Sequence, residues 1–403
     1  MNEQLVVKNF GPIKDATVDF KRVTVFIGPT GGGKSTLAKL AAVFRDATLY
    51  SSGQQGLKSY LSNYAIKSFE SEFTALYWHS RLMSARLLDG KLATRATETV
   101  AQEMVAMRQQ LEAAAIELKA LSELLDVSPP SIGKEEATGK ITELFRLKKE
   151  ATEFYKRTIA PNRPHYIPAE RLLLSALGTS WPDLIREGAN LAIVLLDFAK
   201  QYLRARDEIK RLELSLFSII YKNEDNRDLI VLNDGKSVIL SETASGIQSV
   251  TPMLVLLEHL SRNTEQAQSF IIEEPELNLY PTAQQGLLNW LVEKCTKGEN
   301  DLTITTHSPY LLAHFNLLLY AHQVAENHPD RADDVARIVP RESWINPKEF
   351  AAYHVEGQQE NGVRSIVNPE TGLISHNSLD STASAETAEF EKLLDINAGM
   401  EVE

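Results

Sequence analysis

Nine consecutive residues, Gly28-Pro29-Thr30-Gly31-Gly32-Gly33-Lys34-Ser35-Thr36, have the makings of an anion cradle. The first eight fit the spacing glycine, any four residues, glycine, lysine, then serine or threonine. Glycine leaves the backbone bare, so that several N–H groups can converge on one phosphate. Lys34 adds a cation for the outer phosphates, and the Ser35 hydroxyl is a hard oxygen ligand for Mg²⁺. Far downstream, an apolar run from Ser269 ends on two carboxylates, Glu273 and Glu274. The first suits a metal ion held through water, and the second suits the orientation or deprotonation of an attacking water. His307 ends a strand-like run, Leu302–Thr306, with Thr and Ser around it, the placement of a γ-phosphate sensor. Ser245 and Gly246 stand where a helix should start, which makes a second anion site of their backbone amides.

These groups can meet only if particular elements carry them. Val23–Ile27 is rich in β-branched and aromatic residues and reads as a buried strand, and Leu37, Leu40 and Ala41 fall on one face of a helix from Ser35. Strand, glycine loop and helix start form the phosphate-binding unit, with the helix dipole behind the anion. A parallel strand beside Val23–Ile27 is expected to bring Glu273 and Glu274 to the same end. Leu5–Asn9 and Ala16–Phe20 read as strands joined at Gly11-Pro12, and Asp234-Gly235 between two β-rich runs as a hairpin. Helical periodicity is expected to dominate from Leu37 to about Ala160 and again from Asp183 to Tyr221. Within the first span Val100, Met104, Met107, Leu111, Ala114, Leu118, Leu121 and Leu125 form an unbroken heptad seam. Pro129, Pro130 and Gly133 break it, and a less regular stripe (Ile141, Leu144, Ala151, Tyr155, with Lys148 on the seam) runs from Glu135 to Arg157. The result is a short antiparallel helical hairpin that either lies on the core or projects as a partner-binding arm. Beyond a strand at His165–Arg171, helices are expected over Ile247–Leu260 and Thr282–Cys295. A hairpin near Asn368–Gly372 and a linker at Ser378–Glu386 precede a short helix from Thr387.

The bulk numbers set limits. The chain has 403 residues, 43% of them hydrophobic, enough for a sizeable core. Its net charge of −12 gives no domain-wide basic footprint, so nucleic-acid binding is not indicated by charge. The single cysteine, Cys295, permits no intramolecular disulfide and suits the cytosol. No signal-peptide pattern opens the sequence and no apolar run reaches transmembrane length, so a cytoplasmic protein without membrane contact is expected.

The order phosphate loop, Ala244-Ser245-Gly246-Ile247-Gln248, Glu273-Glu274-Pro275-Glu276 and Thr305-Thr306-His307-Ser308-Pro309 resembles the ABC-type ATPases, most closely the SMC/RecF/OLD branch. The resemblance covers about residues 1–45 and 160–315. It implies an α/β P-loop NTPase of ABC type with an N-terminal β subdomain and an inserted helical hairpin. The boundaries it suggests are 1–50 for the first ATPase lobe, 51–160 for the helical insertion, 161–346 for the second lobe, and 347–403 for a C-terminal hairpin and tail. By that likeness Gly28 to Thr36 bind ATP with Mg²⁺ on Ser35 and Glu273. Glu274 and His307 act in catalysis, Asn278 and Leu279 form the D-loop, and Ser245, Gly246 and Gln248 are the signature that acts on the partner subunit's ATP. Two heads would sandwich two ATP molecules in a homodimer or a higher even-numbered assembly.

Three departures stand out. Glu273 replaces the usual aspartate, and Ile247 replaces a second glycine of the signature. Ala169 stands where the family's Q-loop has glutamine, so that Glu170 or Arg171, or more weakly Gln54 or Gln55, would substitute, or the metal contact is lost. No acidic nuclease cluster follows His307. The resemblance therefore implies a stand-alone ATPase that controls a separate nuclease or toxin, similar to the ATPase subunits of Septu, retron-associated and PARIS phage-defence systems. The alternatives are a RecF- or SMC-like DNA-repair or chromosome-maintenance ATPase and, less in keeping with the motifs, a transporter's nucleotide-binding subunit.

Overall fold

The computed structural model describes residues 3–46, 49, 57–81, 83–125, 133–154, 162–177, 192–262 and 265–375. Its centre is a six-stranded sheet in the order β15-β14-β3-β13-β12-β7. The strands are β3 (Val23–Ile27), β7 (Asn162–Ile167), β12 (Ala267–Glu273), β13 (Asp301–Thr306), β14 (Phe350–Val355) and β15 (Val363–Ser365). All neighbours are parallel except the terminal β14–β15 pair. Every residue of β3, β13 and β14 is buried, as expected of strands covered on both faces. Alternation then divides the core. Val23, Val25, Ile27, Phe270 and Ile272 face one hydrophobic cluster, while Phe26, Ile271 and Val355 face another.

The second cluster lies under helix α1 (Lys34–Arg45) and a five-stranded antiparallel sheet, β2-β1-β4-β5-β6. Strands β1 (Glu3–Phe10) and β2 (Ile13–Phe20) agree with expectation. The other three, β4 (Ala75–His79), β5 (Met83–Leu88) and β6 (Lys91–Ala96), correct the helical reading of the whole span from Leu37 to Ala160. Their signal is Asp89-Gly90, at φ 49° and 65°, a two-residue turn of the twist that antiparallel hairpins favour. Phe44 of α1 stacks on Trp78 of β4 with ring centres 5.9 Å apart, which locks helix to sheet.

Helices α2 (Glu98–Leu125) and α3 (Gly133–Phe154) follow as the expected hairpin and pack chiefly on each other, with Lys140 and Glu117 paired across them at 3.5 Å. Val100 and Leu147 are buried, whereas Val105, Ile116, Ile141 and Phe145 are exposed. The expected break at Pro129-Pro130, the end of the second stripe at Tyr155, Gln54 and Gln55, the helical block before Ala192, and the linker and helix after Ser378 lie outside the described residues.

After a one-turn helix α4 (Leu172–Leu177), helix α5 (Ile193–Glu208) ends well before Tyr221. The residues read as its continuation form β8 (Arg211–Leu214) and β9 (Ile219–Glu224), which join β10 (Arg227–Val231) and β11 (Ser237–Ile239) in a four-stranded antiparallel sheet. The Asp234-Gly235 hairpin stands as expected between β10 and β11. Three helices cover the first cluster's face of the central sheet: α6 (Ser245–Ser261), α7 (Pro281–Cys295) and α8 (Pro309–Asn327). The C-terminal segment is more than a hairpin and tail. Its strand β14 lies beside β3 in the central sheet, and the turn at Asn368–Gly372 follows, closed by the Val367–Ile374 bridge.

Candidate functional site

The central sheet sets the level of each reactive group. Strand β13 stands between β3 and β12, so the acidic strand is not the immediate neighbour of the phosphate-loop strand. That corrects the expected adjacency and preserves its consequence. Glu273 pairs with Thr305, and Thr305 with Phe26, which places the acidic tip level with the start of the loop. The intervening strand ends on Thr306, so His307 emerges between loop and carboxylates.

The loop from Gly28 to Gly33 is shaped by its neighbour β14. A Cβ atom at Gly28 or Gly32 would collide with the Val355 carbonyl oxygen, and Gly357 N–H donates to Gly32 O at 2.8 Å. Two glycines of the motif thus admit the protein's own backbone, not only an anion. Gly31, with φ 78°, has nothing within 4 Å of its Cβ position and faces open space. Lys34 is 5% exposed and donates from Nζ to the carbonyls of Gly28 and Pro29, both at 2.9 Å. Burial pulls its ammonium below the usual lysine value, against the opposing field of Glu274, Glu276 and Glu273. Ser35 and Thr36 occupy the first turn of α1 with Lys34.

At the acidic tip, Glu273 is 5% exposed and its Oε1 is buried without a hydrogen-bond partner. A buried carboxylate oxygen in that state suits either a cation or a donor such as the neighbouring Tyr166 hydroxyl. Among the described residues no cluster of three or more His, Cys, Asp or Glu could by itself hold a metal ion. The donor set at hand, one hydroxyl and one carboxylate completed by phosphate oxygens, is the kind that Mg²⁺ accepts. Glu274 has φ 41°, left-handed backbone that costs a non-glycine residue about 1–3 kcal/mol. Its N–H donates to Thr305 O at 2.9 Å, and its Oε1 lies 3.3 Å from His307 Nε2. The two side chains expected to act on water and γ-phosphate are therefore in contact.

Two residues that the motif reading left without a definite role hold this arrangement. Glu276, nine-tenths buried, accepts from Thr306 Oγ1 at 2.5 Å and from His307 N–H at 2.9 Å, so it fixes the end of the histidine strand. Burial raises its carboxyl above the ordinary value. Arg171 is fully buried and donates to Glu273 O and Glu274 O, each at 2.7 Å, and to Ser249 O and Pro168 O. Burial lowers its guanidinium to about 10. Of the Q-loop substitutes considered, Arg171 thus spends its donors on backbone carbonyls. The only hint in the sequence was its place just past strand β7.

The signature residues divide into two kinds. Ser245 is exposed at the N-terminus of α6. Gly246 is buried, and a Cβ there would stand 2.6 Å from Asn278 O, so glycine lets the helix start rest on the Asn278-Leu279 turn. Asn278 itself has φ 63°. Gln248 points its amide back into its own chain, donating to Thr243 O at 2.7 Å and Ser241 O at 2.9 Å, where it staples the loop before the helix. No helix among the described residues is long and apolar enough to cross a membrane.

Residues 192–312, which run from helix α5 through the signature, the acidic tip and His307, match the AAA ATPase domain family. No curated protein matches the chain. Among solved structures it is similar to the Smc head domain with a coiled coil and joint derived from Pyrococcus yayanosii, at 10% identity and a TM-score of 0.37 over 92% of this chain and 97% of that one. A second similarity is to the recombination mediator protein RecF of the RecFOR pathway, at 10% identity and a TM-score of 0.32 over 90% and 97%.

Proposed function

We propose that this chain, whose residues 192–312 match the AAA ATPase domain family, is an ATPase that works as an ABC-type head, closes on a second copy around ATP and thereby controls a separate effector. The observation that carries the reading is the contact of Glu274 with His307 at 3.3 Å, on the strand level where the phosphate loop begins. Gly28 to Thr36 wrap the phosphates, with Lys34 turning from its loop carbonyls to the outer oxygens. Ser35 and Glu273 hold Mg²⁺, which when bound neutralises charge on the phosphates. Glu274 orients the attacking water, and His307 fixes its carboxylate and senses the γ-phosphate.

The exposed Ser245 on the α6 N-terminus, stacked over the Asn278-Leu279 turn, supports a composite site in which each signature serves the partner's ATP. Gln248 acts within its own chain. The self-packed hairpin of α2 and α3 is the arm that receives an effector, a nuclease or toxin as in bacterial antiphage defence, in the cytoplasm. This last step is an analogy of motifs.

The test joins turnover to mass in solution. Glu274→Gln should bind ATP, lose on the order of 10²-fold in hydrolysis, and double its mass when ATP is added. Adding Ser245→Arg should leave nucleotide affinity nearly unchanged and remove the doubling. Wild-type hydrolysis by Glu274→Gln would remove that carboxylate from the mechanism. Wild-type hydrolysis by Ser245→Arg would refute the composite site.

A further inference from the structure

Glu274 can orient water only if something holds its backbone. Its backbone is left-handed at φ 41°, and such a conformation persists only where its surroundings impose it. Its N–H is held by Thr305 O. Its carbonyl is held by Arg171 Nη2 at 2.7 Å, and the preceding carbonyl, Glu273 O, by Arg171 Nη1 at 2.7 Å. The guanidinium is planar and rigid, so two carbonyls on one fork fix the direction of the chain between them. The other end of the fork is itself anchored. Nε donates to Ser249 O in the signature helix at 3.2 Å, and Nη1 also donates to Pro168 O at 3.3 Å.

None of the hydrogen bonds made by Arg171 goes to a carboxylate, although Glu273, Glu274 and Glu276 lie close enough for their field to act on it. A buried cation that serves only backbone carbonyls is a clamp for chain geometry. It is also costly to bury when the nearby carboxylates act only through space and none is hydrogen-bonded to it, so its position asks for an explanation beyond packing.

We propose that Arg171 is the positioning residue of the hydrolytic site: it locks the strand tip so that Glu274 projects its carboxylate onto His307 and the attacking water. The inference rests on the reading of Glu274 as the water-orienting group. Lysine cannot reproduce the fork, because a single ammonium cannot hold two neighbouring carbonyls with the same rigidity. A misplacement of about 1 Å at a reacting group can cost up to 10²-fold in rate.

The experiment measures ATP affinity by equilibrium titration and hydrolysis under single-turnover conditions, on full chains with Arg171→Lys, Glu274→Gln and both. Arg171→Lys should lower the hydrolytic rate roughly 10- to 100-fold and change ATP affinity less than about threefold. In the Glu274→Gln background the same change should have little further effect, because the group it positions is gone. A merely structural role would multiply through both backgrounds and would weaken binding together with rate, and either result overturns the proposal. Wild-type turnover by Arg171→Lys with an impaired Glu274→Gln would refute the positioning role alone. Wild-type turnover by Glu274→Gln would instead sink the mechanism on which it rests. Arg171→Gln, neutral and shorter, is the second variant. If neither it nor Arg171→Lys gives a folded protein by circular dichroism, the residue is structural and the proposal falls.

Discussion

The carboxyl edge of the central sheet and the α2–α3 hairpin treat their residues in opposite ways. At the edge, most of these polar groups already have a backbone partner: Lys34 on two loop carbonyls, Arg171 on four, Glu276 on the His307 N–H beside the Thr306 hydroxyl. On the hairpin, charged pairs such as Arg146 with Glu143 and Glu150 lie in solvent, and Ile116 and Phe145 are 69% and 68% exposed. Rigidity at the first comes from chain packed on chain. At the second the helices hold their shape by pairing with each other, which leaves their outer faces to something else. One region is therefore built to keep reacting groups in register, and the other tolerates substitution.

Glycine-to-alanine changes should divide the two regions most sharply. Gly32→Ala drives a methyl group into the Val355 carbonyl, backbone that cannot turn aside as a side chain can. It should cost about 3 kcal/mol or more, at the upper end for overpacking, and abolish tight ATP binding with it. Gly139→Ala sits in α3 with nothing within 4 Å of its Cβ and should stabilise the chain by roughly 0.5–1 kcal/mol, the helix-propensity difference. Urea denaturation of the two variants measures both. Destabilisation of similar size at the two sites would erase the distinction.

The same contrast explains what could be read in advance. Where chemistry dictates residue type, as in Gly28 to Ser35 or Glu273-Glu274, the motif was legible without any structure. The β3, β12 and β13 strands are legible too, because their buried runs are built from β-branched and apolar residues (Val23-Thr24-Val25-Phe26-Ile27, Phe270-Ile271-Ile272, Leu302-Thr303-Ile304). Strands β5 and β6 were missed although Asp89-Gly90 carries the hairpin signal that was recognised at Asp234-Gly235. Asp225 and Asn226, at φ 50° and 60°, make a similar turn between β9 and β10, just past the helical reading that runs to Tyr221. In β5 and β6 Leu, Met and Ala suit either element, and in β8 the leucines do as well, so the turn residues decide. Arg171 and Glu276 were not legible as clamps, because their partners are carbonyls and amides far away in sequence. The seat of β14 beside β3 was hidden for the same reason, since a strand's neighbour is set by the whole chain's path.

An intermediate effect is expected from the hairpin as a unit. Replacing residues 104–150 by a short flexible linker, with the buried Val100 retained, should leave ATP affinity and basal hydrolysis within about twofold of wild type, since distant sites act independently. Thermal unfolding monitored on the tryptophans, all four of which lie outside the replaced segment, should shift by only about 2–4 °C, the response of a large domain to roughly 1 kcal/mol. Insoluble protein would show that the hairpin is part of the core after all, and the comparison would have to be redrawn.

The smallest effect concerns protons, and it again separates buried sheet from exposed helix. His165 of β7 is 2% exposed and lies between two glutamines, with Nδ1 2.8 Å from Gln201 Oε1 and Nε2 2.6 Å from Gln268 Oε1. A neutral imidazole donates from one nitrogen only, so one of these amides turns its NH₂ toward the ring. Burial is the largest influence on the group and lowers its pKa below 6.5. The sign follows from linkage. Below about 6.5 the unfolded chain takes up a proton that the folded ring refuses, so stability falls as pH drops toward the depressed folded value. The loss is about 1.4 kcal/mol for each pH unit between the two values. His165→Gln keeps a hydrogen-bonding side chain and removes the titration, so its Tm should fall less than that of wild type between pH 7 and pH 5. Part of the slope should survive, because burial also lowers His314, which is 2.8 Å from Asn289 Oδ1. The hairpin's carboxylates are solvent-exposed, and removal of residues 104–150 should leave the acid slope as it was. Equal slopes in wild type and His165→Gln would place the acid sensitivity elsewhere. A slope lost with the hairpin would move it to the exposed ion pairs.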